Sequence, residues 1–299
     1  MTFGQLKTFA VVAREGSVRR AASLLVVTEP SVSAALAALK RELGVELVER
    51  VGRGIRLTPA GIELAAYAEQ ILGLADRAAR SVKETAGGSG HLRLVAVTTA
   101  GECVLPPLIG SFRERRPDVE VSLEVTNRSE AIARLRGEGA DLAIGGRPQP
   151  ELGIVGDAFL GNHLIVIGPR DHPLSELRAV PASALSGETW LLREPGSGTR
   201  ATTEEFFEGA GIEPHATMTI GSNGAIRQAA AVGLGLTLIS EYAVADDLAS
   251  SKLASINVRG TPIERPWYVL RRKEASLPPV AREFLSYLKM PSRRTSDTA

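Results

Sequence analysis

Gly196-Ser197-Gly198-Thr199-Arg200 packs small, hydroxylated and cationic residues into five positions. Glycines let a backbone come close to a ligand, and the hydroxyls offer hydrogen bonds. A helix starting there would add free N–H groups and a positive dipole end. Such a cluster suits an anion, either carboxylate or phosphate. It is not a Walker loop, because no Gly-Lys-Ser/Thr follows. Thr98-Thr99, Thr126-Asn127-Arg128-Ser129 and Ser222-Asn223-Gly224 are similar junctions, each read as a strand end followed by a helix cap. Taken singly, each Ser or Thr is an ordinary cap. Together they match the rule that open α/β folds bind ligands beyond the carboxyl ends of their strands. The expected binding set is Thr98, Thr99, Asn127, Arg128, Arg147, Gly196, Ser197, Gly198, Thr199, Arg200 and Asn223. Its expected occupant is a small anionic metabolite, with no cofactor and no metal.

A second polar group lies near the N-terminus. Thr28, Glu29, Pro30, Ser31 and Ser33 would start a helix, and Arg53 stands between two glycines. Hydroxyls at a helix start can bond to phosphates or base edges, and an arginine at a hairpin tip can enter a minor groove. Residues 1–60 carry nine Lys/Arg against five Asp/Glu, a balance of +4 in a chain whose total is +1. A basic head on a mildly acidic body fits a polyanionic partner.

The elements that would hold these residues are legible. Phe3, Leu6, Ala10 and Ala13 give helical spacing, stopped by Gly16. Ser17 caps a second helix with Val18, Ala21, Ala22 and Leu25 inward, and Val26-Val27 turns the chain. Thr28 caps a third helix with a stripe of Val32, Leu36, Leu39 and Leu43, ended by Gly44. Glu46 to Arg50 and Ile55 to Thr58 read as two strands with Gly52-Arg53-Gly54 at the tip. This is a winged helix-turn-helix over residues 1–58.

Thr58-Pro59 then opens a long linker helix, residues 59–86, about 40 Å long at 1.5 Å per residue. Leu64, Ala68, Ile71, Ala75, Ala78 and Val82 recur at steps of four and three, a coiled-coil seam for dimerisation. Gly87-Gly88-Ser89-Gly90 forms a hinge. Beyond it, strands and helices alternate: 92–97, 104–115, 119–125, 129–136 and 141–144, then 163–167, 189–192, 201–210, 216–220, 225–232 and 236–239. A strand at 266–271 and a helix at 280–288 close the series. Repeated β-α-β units imply parallel-type sheets covered by helices. Two sets imply two α/β lobes with a cleft between them, lobe I over about 91–161 and 266–291 and lobe II over about 162–265. The polar tail after Pro291 is expected to be disordered.

Other classes find little support. The 44% hydrophobic and 23% charged composition is that of a soluble globular protein. The start lacks a signal peptide pattern and no apolar run nears the length of a membrane span, so a cytoplasmic protein without membrane contact is expected. The four histidines, His91, His163, His172 and His215, have no metal-ligand spacing. Neither Gly-x-Ser-x-Gly nor Gly-x-Gly-x-x-Gly occurs, so no enzyme is expected. Cys103, the single cysteine, excludes an internal disulfide and lies just past Thr98-Thr99, where a redox role stays open.

Gly16-Ser17, Ala21-Ala22, Pro30-Ser31-Val32-Ser33, Glu42-Leu43-Gly44, Glu49-Arg50 and Leu57-Thr58-Pro59-Ala60-Gly61 together resemble the head of LysR-type transcriptional regulators. The resemblance runs through essentially the whole chain. It implies homodimers or homotetramers paired through the linker helix and binding to inverted repeats in double-stranded promoter DNA, with RNA polymerase a further partner. It also implies a periplasmic-binding-protein-like effector domain. Glutamine is common in the family at the position of Glu29, and a longer polar or basic side chain at that of Ala34. A carboxylate there can accept a hydrogen bond from cytosine N4. Residues 193–200, Asp141 through Pro148, Asn127-Arg128 and Pro266-Trp267-Tyr268-Val269 further resemble regulators of the Calvin-cycle carbon-fixation operons. That subgroup answers to phosphorylated sugars and nicotinamide nucleotides. The alternatives are a LysR-type regulator of sulfur, amino-acid or aromatic-acid metabolism, or a small-molecule binding protein without a DNA role.

Overall fold

The computed structural model describes residues 1–52 and 54–290. Arg53, the expected hairpin tip, and the tail after Met290 lie outside the described residues. The chain divides into two compact units: residues 1–87 with 136–139, and residues 88–135 with 140 onward.

In the first unit α1 (Phe3–Glu15), α2 (Val18–Leu25) and α3 (Glu29–Leu43) are followed by the hairpin β1 (Val48–Val51) and β2 (Gly54–Leu57) and by α4 (Pro59–Thr85). The caps match the residues that signalled them. Ser17 accepts from the Arg20 amide, Thr28 from Ser31, and Thr58 from Gly61, while Gly16 and Gly44 end their helices with positive φ. Axes α2 and α3 meet at 109°, a helix-turn-helix geometry. Phe9, Leu6, Leu39 and Leu47 form the core, and the Ile55 amide donates to the Gly16 carbonyl at 2.9 Å, tying the wing to the first turn.

Two expectations need correction here. Leu43 is exposed, because it is the last residue of α3 and the packed stripe ends at Leu39. The supposed pairing seam is also partly spent inside the head. Ala68 is fully buried against Leu6, Phe9, Leu39 and Leu47, with Leu64 and Ile71 beside it. The apolar side chains left exposed on α4 include Tyr67, Leu74 and Val82, with Ala78 between the last two. At 100° per residue they lie about 40–120° round the helix from Ala68, all to the same side. Farther along, Gly73 lets Glu138 approach, and the Arg77 guanidinium meets the Glu138 carboxylate at 2.6 Å in a buried ion pair.

The second unit holds two sheets. The five-stranded one runs β4 (Glu120–Thr126), β3 (His91–Val97), β5 (Leu142–Gly145), β13 (Trp267–Arg272), β6 (Ile154–Leu160). Strands β4, β3 and β5 are parallel, whereas β13 is antiparallel to both β5 and β6. Helices α5 (Leu105–Arg115), α6 (Arg128–Arg136) and α10 (Pro279–Leu288) accompany it, with Phe112 and Phe284 edge-on at 5.0 Å in the core. The other sheet is centred on β7 (His163–Pro169), flanked by β10 (Thr237–Ser240) and β11 (Leu253–Ile256), with β12 (Ile263–Glu264) on β7 as well. All three partners are antiparallel to β7. A parallel pair, β8 (Thr189–Leu192) and β9 (Ala216–Thr219), joins it through a Trp190–Leu236 bridge. Helices α7 (Gly198–Ala210), α8 (Asn223–Ala231) and α9 (Glu241–Ala249) complete this lobe.

The sheets are therefore mixed rather than parallel-type throughout. The chain passes between them twice, at Gly161-Asn162 and at Arg265-Pro266, so returning strands enter against the direction of the first set. Strand β6, helix α9 and strands β11 and β12 were not foreseen. Strand β6 carries Gly156 and Asp157 in its middle, and β11 and β12 are too short for a periodic signal. The helix expected from Val104 is preceded by a π-helical turn over Ala100–Val104. Among the described residues, no single helix is long and apolar enough to cross a membrane.

Candidate anion-binding cleft and nucleic-acid interface

Three chain segments beyond strand ends converge in the second unit. Strand β3 ends at Val97 and the chain coils at once through Thr98 and Thr99. Strand β4 ends at Thr126, and the Asn127 side chain accepts from the Glu130 amide at 2.9 Å to start α6. After β8, Ser197 caps α7. These turns enclose a narrow cleft lined by Thr98, Thr99, Asn127, Arg128, Ser197, Gly198 and Thr199, all expected from the sequence. Val97, Gly146, Arg193, Arg265 and Trp267 also line it and were not expected.

The other expected residues stand elsewhere. Gly196 and Arg200 border a wider adjoining groove, shared with Arg128, Ser197 and Gly198. Arg200 is engaged by Glu204 at 2.8 Å and donates to the Arg193 carbonyl at 3.1 Å. Arg147 is exposed, and its carbonyl accepts from the Arg128 guanidinium at 3.3 Å. Asn223 is buried behind the wall, where its amide donates to the Thr99 hydroxyl at 2.8 Å and its carbonyl oxygen accepts from Arg193. Arg193 in turn donates to Thr98 at 3.2 Å and pairs with Glu194 at 2.8 Å. That network joins the end of β8 to the end of β3 and leaves Arg193 neutralised.

Arg265 differs. No hydrogen bond or ion pair of its guanidinium occurs among the described residues, and two glycine backbones leave room for it. A Cβ built on Gly198 would lie 2.5 Å from its Nη2, and one on Gly146 2.9 Å. The Arg128 stem passes the same spot, 3.3 Å from that Gly198 position. Burial pushes the Arg265 pKa down to about 10, and the like charge of Arg128 adds to the effect. Nothing local signalled it: Arg265 precedes a proline between two short strands, with neither glycine nor cap beside it. Its one trace was its place directly before the Pro266-Trp267-Tyr268-Val269 motif. The indole Nε1 of Trp267 is a buried donor without a partner at the same wall. Cys103, in the π-helical turn, has its thiol pKa raised by burial first and by Glu102 next.

In the head, Thr28, Glu29, Pro30, Ser31 and Ser33 are all exposed on the first turns of α3. The Thr28 and Ser31 hydroxyls bond to each other at 2.9 Å, which holds both at the helix start. The wing is braced by Arg56 to Glu49 at 2.7 Å.

A winged helix-turn-helix joined to a two-lobed domain with a cationic cleft defines a ligand-responsive DNA-binding regulator. Residues 3–62 match the bacterial regulatory helix-turn-helix protein, lysR family, and residues 85–290 match the LysR substrate binding domain. The chain belongs to the LysR family of transcription regulators. It is 37% identical over 288 residues to the HTH-type transcriptional activator CmpR of Synechocystis sp., covering 96% of this chain and 94% of that protein. It is 36% identical over 288 residues to a RuBisCO operon transcriptional regulator of Acidithiobacillus ferrooxidans, covering 96% and 93%. Among solved structures, the Synechocystis CcmR regulatory domain in complex with 2-PG has a TM-score of 0.64 at 36% identity, covering 67% of this chain and 95% of that one. Full-length CbnR complexed with its target DNA has a TM-score of 0.69 at 26% identity, covering 97% and 99%.

Proposed function

We propose that this regulator controls carbon-fixation genes in response to a small phosphorylated or carboxylated metabolite bound between its two lobes. The observation that carries the reading is the cleft itself. It is walled by hydroxyls at helix starts and holds Arg128 with a second, partnerless arginine, an arrangement that favours an anion over a neutral ligand. The 2-PG complex of the CcmR regulatory domain and the RuBisCO operon regulators among the relatives support the same pathway. Thr98, Thr99, Asn127, Ser197, Gly198 and Thr199 would contact the ligand directly. Gly196, Arg200 and Arg147 would act at its mouth, and Asn223 would hold the wall. The role is regulatory, in the cytoplasm, and involves no catalysis.

At the other end, Thr28, Glu29, Pro30, Ser31 and Ser33 would meet the major groove, with Arg53 proposed from the sequence as a further DNA contact. Two copies would pair through α4, using Ala78 and Val82 of the seam Leu64, Ala68, Ile71, Ala75, Ala78 and Val82 that the sequence pattern pointed to, with Tyr67 and Leu74 in place of its head-facing members. Residues 87–90 would serve as the hinge.

Thermal melting of the full chain with a panel of metabolites tests the cleft. A fitting anion at a hundred times its Kd adds about 2.7 kcal/mol and shifts affinity for the chain's own upstream duplex. Stabilisation by uncharged metabolites alone would overturn the reading.

A further inference from the structure

Glu138 is a buried acid that plays no part in the cleft or in the DNA-binding face. It follows α6 by two residues, between Gly137 and Gly139, and is 3% exposed. Its φ is +64°, a conformation that residues with side chains rarely adopt and glycine adopts freely. A glycine would suit this backbone, but only the glutamate supplies a carboxylate. That carboxylate meets the Arg77 guanidinium of α4 at 2.6 Å, and Arg77 is buried as well. Gly73, one turn earlier on α4, makes the approach possible, since a Cβ there would lie 2.2 Å from the Glu138 Cβ. Glycine in mid-helix is otherwise unfavourable, so the notch and the ion pair both serve one side chain.

Gly73 and Arg77 lie about 140–180° round α4 from Ala68, which is buried in the head core. The helix is thus held by the head on one face and by Glu138 on the opposite face. Helix α6 carries the connection onward. Its first residue, Arg128, lines the cleft together with Asn127, and its last, Arg136, groups with residues 137–139 in the compact unit of the head. Between these ends Ala131, Ile132 and Leu135 are buried with Val95, Ala143, Ile154 and Leu270, so a rod of about 13 Å moves as one piece. A buried ion pair adds little net stability but tolerates displacement poorly, because separating its partners leaves buried charge uncompensated. A shift of α6 therefore either moves α4 or breaks the pair.

We infer that Glu138, seated against Gly73 and Arg77, is the residue that couples α6 to the DNA-binding head. The coupling between head and α6 needs only the DNA binding of the family, whereas its use by an effector rests on the anionic-cleft reading.

Hydrogen exchange of the full chain, with and without a duplex from its own upstream DNA, tests the coupling without an effector. Coupling is reciprocal, so a duplex on the head must alter α6. Wild type is expected to change its exchange rate across residues 128–140 by at least threefold when duplex is added. Glu138→Gln, which removes the charge and keeps the size, should lose that response while α3 stays protected by the duplex. Gly73→Ala should lose it too. This second variant fills the notch, favours the helix and faces away from the head core, so it guards against a folding defect. A wild type whose α6 ignores the duplex, or either variant keeping the wild-type response, overturns the coupling. In a second arm 2-phosphoglycolate should shift the duplex affinity of wild type at least fivefold. Both variants should bind 2-phosphoglycolate within threefold of wild type yet shift duplex affinity less than twofold, and a variant with the full shift counts against the coupling. If wild type binds no 2-phosphoglycolate, that result counts against the cleft reading, and the exchange experiment still decides the role of Glu138.

Discussion

Replacing Arg265 by methionine should make the ligand-free protein more stable, not less. Its guanidinium is partly buried and faces Arg128, and its pKa falls to about 10 from the ordinary arginine range above 12. At about 1.4 kcal/mol per pH unit, that drop corresponds to about 3 kcal/mol of cost in keeping the folded side chain charged. Solvent reaching the open side of the cleft reduces the figure, so a gain of about 1–3 kcal/mol is expected for Arg265→Met. The sign follows from the direction of the change. A base held below its unfolded value opposes folding fully at pH values under the folded one, and the penalty fades only as pH rises past 10. For a unit of this size the gain appears as a rise in Tm of about 2–12 °C at neutral pH. Calorimetry of wild type and variant, each with and without 2-phosphoglycolate, is the assay. Saturating ligand should reverse the order, because wild type gains binding energy that the variant cannot. A ligand-free variant that melts below wild type would refute the reasoning and show that the guanidinium is already satisfied.

Gly61→Ala should cripple the head. Its Cβ would lie 1.9 Å from the Leu47 carbonyl oxygen, which is pinned by the Thr58 amide at 3.1 Å, so a loss of about 3 kcal/mol and of DNA binding is expected in urea unfolding and gel shift. Glu29→Gln should move base preference in each half-site away from cytosine in a binding-site selection, and an unchanged preference would exclude a reading role for Glu29. Cys103, whose thiol pKa is raised, should be mostly protonated at pH 8 and react with iodoacetamide more slowly than a free thiol. Peroxide at concentrations that oxidise exposed thiolates should leave DNA affinity unchanged.

The head was legible nearly to the residue because its stops and starts are chemical. Gly16, Ser17, Thr28, Gly44 and Thr58 each solve a local backbone problem, and the structure uses each for that purpose. Much of the cleft was legible for the same reason, since Ser197 and Asn127 announce helix starts. What escaped was non-local. The direction of β13 depends on a return from the other lobe, and a two-residue strand such as β12 has no period to detect. Arg265 escaped because its meaning lies in its surroundings, the like charges of Arg128 and Arg147 and the more distant carboxylate of Glu205, and these are visible only in three dimensions. The stripe on α4 misled for a related reason. Ala68 and Tyr67 are neighbours in sequence, but which of them faces the head core depends on how α1 packs against the helix.

Fluorescence anisotropy of a labelled duplex from the DNA upstream of the chain's own reading frame, titrated with the full protein across a salt series, addresses the central claim most directly. Two α3 helices and their wings on successive grooves should neutralise several phosphates, so affinity should fall by about a thousandfold or more between about 50 and 200 mM salt. Absence of duplex binding at low salt, or an affinity indifferent to salt, would contradict the account.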